Sequence, residues 1–354
     1  MRRRPGPRVI LFALIVVACL ASSVVYVGRA VARAHSSAPP PGIHVTHGAS
    51  LASDPAPATI KPTAIRTTAA ASLMATKGPK ILFVNMIPDS TVGKLAVASL
   101  ANPNSSRAVA DLRCERVYYG GKRGICVARG GPLNSSYVAK VFDPSFKVLR
   151  EFSLPGVPSR ARVSSDGHYG ATTMFVRGDN YASGNFSTRT AIFDLRTGKQ
   201  VANLETMPVF RNGERFSNRN FNFWGVTFAH DDDHFYASLG SGSKTFLLKG
   251  SMRAHTLRVI HTKVECPSLS PDQTRIAFKR SVGTRGNWRL TVLNLKTMRE
   301  TRLAGDDPID DQAEWLDSKH VLYGNDNVVW KVPANGTGKP TKLLMYAYSP
   351  VVIR

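Results

Sequence analysis

From Lys80 onward the chain is written in short β runs separated by turn residues, and the runs recur in groups of four. That recurrence limits the fold more than any other feature. No stretch keeps a 3.6-residue apolar period, so helices are expected to be nearly absent. The clearest group spans Cys266 to Gly305: a strand, a tight Ser270-Pro271-Asp272-Gln273 turn, a strand, a longer loop, then two more strands around a turn. Others start near Arg116, Ser159, Trp224 and Gln312. Asp, Gly and Ser in their turns tolerate the conformations that tight hairpins need. A sixth group is divided. Ile81-Leu82-Phe83-Val84 and the runs 94–100 and 106–112 give three strands, and 348–353 gives the fourth at the other end of the chain. Pairing 348–353 with 81–84 would close a ring and remove its free sheet edges. The 276 residues from 79 to 354 divide into six units of 46, inside the range of propeller repeats. The expected fold is all-β: a six-bladed β-propeller of four-stranded antiparallel blades, closed by the C-terminal strand.

The charge needs a destination. Lys plus Arg number 47 against 24 Asp plus Glu, a formal +23, which favours polyanionic surroundings. Residues 9–28 form an uncharged run of 20, enough to span about 30 Å at about 1.5 Å per residue. Arg2, Arg3, Arg4 and Arg8 precede it, whereas Arg29 and Arg33 follow. That asymmetry keeps the N-terminus in the cytoplasm and sends the rest outside. Nucleic acid is therefore not an expected partner. The segment 1–34 reads as an uncleaved signal-anchor, or as a signal peptide cut after Ala32-Arg33-Ala34. A third reading is lipidation at Cys19, after Val16-Val17-Ala18. Residues 35–78 are rich in Ala, Pro, Ser and Thr, without apolar periodicity, and read as a disordered tether. The propeller is then 79–354, at the cell membrane facing outward or secreted after cleavage near Ala34.

The repeat itself resembles a family. Ser270-Pro271-Asp272-Gln273, Ile276-Ala277-Phe278 and Leu290-Thr291-Val292-Leu293-Asn294-Leu295 resemble the WD-like repeat of TolB-type β-propellers. Ser165-Asp166-Gly167 and Phe193-Asp194-Leu195-Arg196-Thr197-Gly198 follow the same pattern. The resemblance implies an extracytoplasmic binding or scaffold domain with protein partners. This chain carries the apolar segment and tether in place of that family's small N-terminal α/β domain. The matched motifs are turns and core strands, so no family binding residue carries over.

Catalytic patterns are weak. Gly240-Ser241-Gly242-Ser243-Lys244-Thr245 lacks the glycine before the lysine and the following helix of a phosphate loop. There is no Gly-x-Ser-x-Gly elbow. His230-Asp231-Asp232-Asp233-His234 sits in a hairpin turn, where solvated aspartates are ordinary, and Asp306-Asp307-Pro308-Ile309-Asp310-Asp311 lacks the spacing of a calcium loop. No catalytic residue, metal site or cofactor is assigned. Cys114 and Cys126 flank a hairpin centred on Gly120, which would set them opposite each other. Export permits a disulfide there, worth about 3 kcal/mol by loop closure. Cys266 is expected to pack as a small apolar residue.

Two insertions stand out. One lies between 177 and 189, inside the second blade, and contains Arg177-Gly178-Asp179. The other is the connector 205–224, which contains Arg211, Arg215 and Arg219 among Phe210, Phe216, Phe221, Phe223 and Trp224. In an antiparallel blade the second-to-third loop and the connector to the next blade emerge at the same end. Long loops on a rigid scaffold commonly carry function. Arg177, Asp179, Arg189, Arg211, Arg215, Arg219, Phe221 and Trp224 are therefore the candidate ligand residues, suited to anionic or glycan ligands. The opposing reading makes the aromatics a plug for the central channel. The expected function is a monomeric binding or scaffold propeller whose partner is an extracytoplasmic protein or an anionic envelope polymer. The alternatives are a lyase or hydrolase using the channel mouth, and a cell-wall polyanion or glycan binder.

Overall fold

The computed structural model describes residues 63–65, 67–131, 136–177, 186–283, 286–305 and 309–354. The expected membrane segment 9–28, Cys19 and the cleavage site near Ala34 lie outside them. Among the described residues no helix is long and apolar enough to cross a membrane.

Six sheets, each built on four antiparallel strands, form the blades of a propeller. Blade one runs from Arg116–Gly120 to Val148–Leu154, and blade two from Val157–Val163 to Gln200–Asn203. Blade three runs from Phe221–Phe228 to Thr256–Thr262, blade four from Glu265–Leu269 to Glu300–Arg302, and blade five from Glu314–Trp315 to Thr341–Met345. Blade six joins three early strands, Lys80–Asn85, Lys94–Ser99 and Ser106–Arg113, to the late strand Ala347–Ile353. In that sheet Ile81 lies opposite Val352 and Val84 opposite Tyr348. The first strand of each of the other blades, and Ala347–Ile353 in blade six, lines the axis.

Period-2 alternation sends one row of each strand into a seam between neighbouring blades. Each seam has its own apolar cluster. Ile125, Val141, Val163 and Met174 fill the seam between blades one and two. Phe223, Phe235, Leu239 and Ile192 fill that between two and three. Ile81, Phe83, Leu322 and Leu344 fill that between five and six. Arg107, fully buried in blade six, donates to the carbonyls of Met345 at 2.7 Å and Tyr346 at 2.9 Å and to Asn85 Oδ1 at 2.8 Å. It thereby ties the early strands to the segment entering the last one.

Two expectations change. Within the expected tether, Thr63–Ile65 is a strand parallel to Ser106–Arg113, and Thr67–Ala75 is an α-helix. Ala70, Leu73 and Met74 of that helix pack on the core between blades six and one. An Ala-rich run is a good helix former once an apolar surface receives it, so the folded unit begins near residue 63 rather than 79. The connector before blade three is also not a plain loop. Val209–Arg211 and Glu214–Phe216 form a hairpin about Asn212-Gly213, and Val209–Arg211 adds in parallel to Thr256–Thr262, making blade three six-stranded. Asn212 and Gly213 both have positive φ, 53° and 87°, as the favoured two-residue hairpin turn requires.

Cys114 and Cys126 are bonded, with Cα atoms 5.4 Å apart. The route differs from the expected one. The hairpin pairs Val117 with Cys126 and Gly120 with Arg123, so its turn is Gly121-Lys122. Cys114 precedes the strand, and the bond ties the connector entering blade one to that blade's second strand. Cys266 is buried and free.

Candidate functional site

Two sets of charged side chains occupy the ring, one at its centre and one off-axis. At the centre, Arg162 of blade two reaches across to Glu314 of blade five, on the opposite side of a six-fold ring. Its Nη1 donates to Glu314 Oε2 at 2.6 Å, and its Nη2 donates to Ser268 Oγ at 2.9 Å and to the Ala313 carbonyl at 2.6 Å. Tyr118 donates to the same carboxylate oxygen at 3.0 Å, and the guanidinium lies 4.3 Å from its ring centroid. Both charged side chains are only 5% exposed. Burial pushes the Tyr118 phenol up, so it stays a donor at physiological pH. Nearer the mouth, Arg160 and Lys279 both pair with Asp310. Burial alone would raise that carboxyl, but Lys279 and Arg160 hold it below the usual range. The channel is thus crossed by paired charge rather than plugged by aromatics.

The off-axis site is a cleft of about 910 Å³ between blades two, three and four. Every segment around it is a second-to-third loop or a blade-to-blade connector, so both insertions meet at one end of the ring. Arg177 and Ser187 come from facing strand ends of blade two. Arg211, Arg219 and Phe221 come from the connector, Lys244 from the next hairpin, and Lys263 from the following connector. Among the described residues none of these five cations is in an ion pair. Among the described residues Glu265 is the one carboxylate lining the cleft; it is buried and accepts from Trp288 Nε1 at 3.0 Å.

The connector's aromatics make the floor and outer wall. Phe216 packs 5.0 Å from Phe221 and 5.7 Å from Phe246 between ring centroids, and Arg211 lies over Phe216 and Phe246. Trp224 is 1% exposed. Gly240 makes room for it, because a Cβ there would lie 2.8 Å from the indole. Val176 and Val282, both exposed, stand beside the rim.

Of the eight candidate residues, Arg177, Arg211, Arg219, Phe221 and Trp224 line this cleft. Asp179 lies outside the described residues. Arg189 is not part of the loop: it sits in Ser187–Asp194 opposite Met174, exposed and away from the cleft lining. Arg215 pairs opposite Phe210 in the added hairpin and faces solvent elsewhere. Strand alternation places these two outside, which chain proximity alone could not reveal. Lys244 and Lys263 were not candidates. The only hint was that Lys244 follows a glycine-rich turn in the same inter-strand position as the insertion in blade two.

At the opposite end, Asp166, His168 and Asp232 bring ligand-type atoms within 4.8 Å of one another. His168 Nδ1 lies 2.9 Å from Asp232 Oδ2, while its Nε2 faces Arg196 and Asp194. Asp232 of the His230–His234 turn is therefore drawn into a contact between hairpin turns of blades two and three.

No family model and no curated protein matches the chain. Among solved structures it is similar to TolB from Acinetobacter baumannii, at 14% identity, over 77% of this chain and 66% of that one, with a TM-score of 0.51. It is also similar to a chain of the nidogen/laminin complex, at 11% identity, over 78% of this chain and 98% of that one, with a TM-score of 0.54. The chain thus spans just under two thirds of the TolB chain. At these identities the likeness is one of fold: a TolB-like six-bladed propeller.

Proposed function

We propose that this protein is an exported, membrane-tethered propeller that binds rather than catalyses, and that the end carrying the 910 Å³ cleft is its ligand surface. The observation behind this is the charge around that cleft. Among the described residues Arg177, Arg211, Arg219, Lys244 and Lys263 line the cleft with a single carboxylate, Glu265, which is buried and already hydrogen-bonded. Such a surface attracts an anionic partner, a protein or an envelope polymer. Export is supported by the apolar run 9–28 and by the disulfide, which suits an oxidising compartment. Beyond residue 34 the chain keeps 41 basic against 24 acidic residues. The nidogen/laminin neighbour is a chain of a complex, which is consistent with a binding role for the fold.

The test places a photo-crosslinking residue at 219, in the cleft, or at 296, in an exposed turn at the other end, in the full chain in intact cells. Adducts should form from 219 and not from 296. Equal yields from both positions would overturn the assignment. The triple variant Arg177→Ser/Arg211→Ser/Arg219→Ser should lose most of the adduct at low salt, and less at high salt. Arg215→Ser should keep it.

A further inference from the structure

We infer that the cleft takes a short run of acidic polysaccharide, a sugar chain with pendant anions, laid across blades two to four. This rests on the reading of the cleft as the ligand surface and names its chemistry.

Charge comes first. The five cations are delivered by four separate segments: the end of a blade-two strand, the connector before blade three, a blade-three hairpin, and the connector before blade four. They surround the depression rather than converge on one point. That arrangement suits several anions spaced along a chain better than one concentrated charge. Arg211, stacked on Phe216 and Phe246, is held in place and, among the described residues, makes no ion pair, so its donors can fork onto a carboxylate or sulfate.

The surface between the cations is the second observation. Asn220, Ser243, Thr245 and Thr262 offer short donors and acceptors around Phe186 and Phe221, whose rings are half-buried. Apolar ring faces among hydroxyl and amide groups match a sugar, which presents C–H faces and hydroxyls in alternation.

The same surface suits other polyanions less well. Single-stranded nucleic acid binds by stacking bases on open aromatic faces. Of the five described aromatics in the lining only Phe186 and Phe221, from separate segments of the chain, offer a partly open face, while Trp224, Trp288 and Phe246 are 1%, 4% and 2% exposed. A folded acidic protein needs roughly 800 Å² of face on each partner, whereas the five cations here line the walls of a concave depression. The channel offers no alternative path, because Arg162 and Glu314 cross it. A bound chain therefore lies across the end of the ring.

The experiment uses the full chain in detergent and measures binding by calorimetry at low and moderate salt. The probes are a galacturonate hexamer, a sulfated oligosaccharide of equal length, a neutral glucan hexamer and a poly-glutamate peptide of matched charge. At least one of the two acidic sugars should bind saturably, at least tenfold tighter than both the neutral glucan and the peptide. Which of them binds tighter distinguishes carboxylate from sulfate as the favoured anion. Lys244→Ser/Lys263→Ser should weaken binding tenfold or more and flatten its salt dependence. Both lysines are exposed, so the variant's melting curve should match the parent's. Arg215→Ser should bind as the parent does. If poly-glutamate binds as tightly as the sugars, the carbohydrate inference fails while the anionic cleft stands. If no anion binds, both fall.

Discussion

Arg162 and Arg211 show two uses of the same side chain within one ring. In the channel, Arg162 is buried against Tyr118 and hydrogen-bonded to Glu314, Ser268 and the Ala313 carbonyl. In the cleft, Arg211 lies exposed over two phenylalanine rings; Glu214 stands opposite it in the hairpin, but among the described residues Arg211 is in no ion pair. A buried charge is tolerated only when paired and hydrogen-bonded. An exposed one keeps its water and can exchange it for a ligand. The channel set therefore belongs to the structure, and the cleft set is available for recognition.

The largest expected effect breaks the channel side. Glu314→Gln leaves the Arg162 charge buried without its counter-charge and should destabilise by about 3–5 kcal/mol. A replacement of both partners, Arg162→Met/Glu314→Leu, should recover much of that loss. Chemical denaturation of the three proteins measures it. A Glu314→Gln loss below about 1 kcal/mol would mean that the channel is hydrated and that the contrast with the cleft is false.

Glu205 sharpens the comparison, because it is largely buried without a cation bonded to it. Its Oε1 accepts from the Thr190 N–H at 2.8 Å, and burial pushes its carboxyl up to about 7 from 4.5. A folded value above the unfolded one gives stability that is complete below about pH 4.5 and lost as pH rises through about 7. Glu205→Gln should remove that loss, leaving the variant more stable than the parent at pH 8 by about 1–3 kcal/mol. At pH 4 the two should be close. Thermal melts across this range decide it; parallel profiles would show that the carboxyl is solvated.

The smallest effect is expected in the cleft. Arg177→Ser/Arg211→Ser/Arg219→Ser should change stability by no more than about 0.5 kcal/mol per site. At low salt any change should be toward greater stability, since mutual repulsion is relieved. A cooperative loss of several kcal/mol would make these arginines structural and place them with Arg162.

Much of the ring was legible in residue order. The turn Ser270-Pro271-Asp272-Gln273 and the runs around it, repeated five times with a divided sixth set, carry local information: alternation sets the buried face, and turn residues set the hairpins. The bond between Cys114 and Cys126 could be read as a pair, but its geometry could not. Moving the centre of the turn from Gly120 to between Gly121 and Lys122 shifts every opposite partner by three residues. The insertions were visible as departures from the repeat, and five of the eight residues drawn from them do line one cleft.

The sequence alone determined the six four-stranded repeats and the end of the ring where the long loops emerge, because each depends on neighbours a few residues apart, whereas the strands added at 63–65, 209–211 and 214–216 were not legible in it. Tertiary structure decided which charges are spent and which are kept. Arg162 meets Glu314 from 152 residues away, and Lys244 joins Arg177 and Lys263 around one cleft only because three blades pack side by side. It also decided that the Ala-rich run 67–75 is a helix, since a short helix needs an apolar surface to rest on. Pairing, burial and shared cavities are set by distances across the ring, and those distances exist only once it has closed on its core.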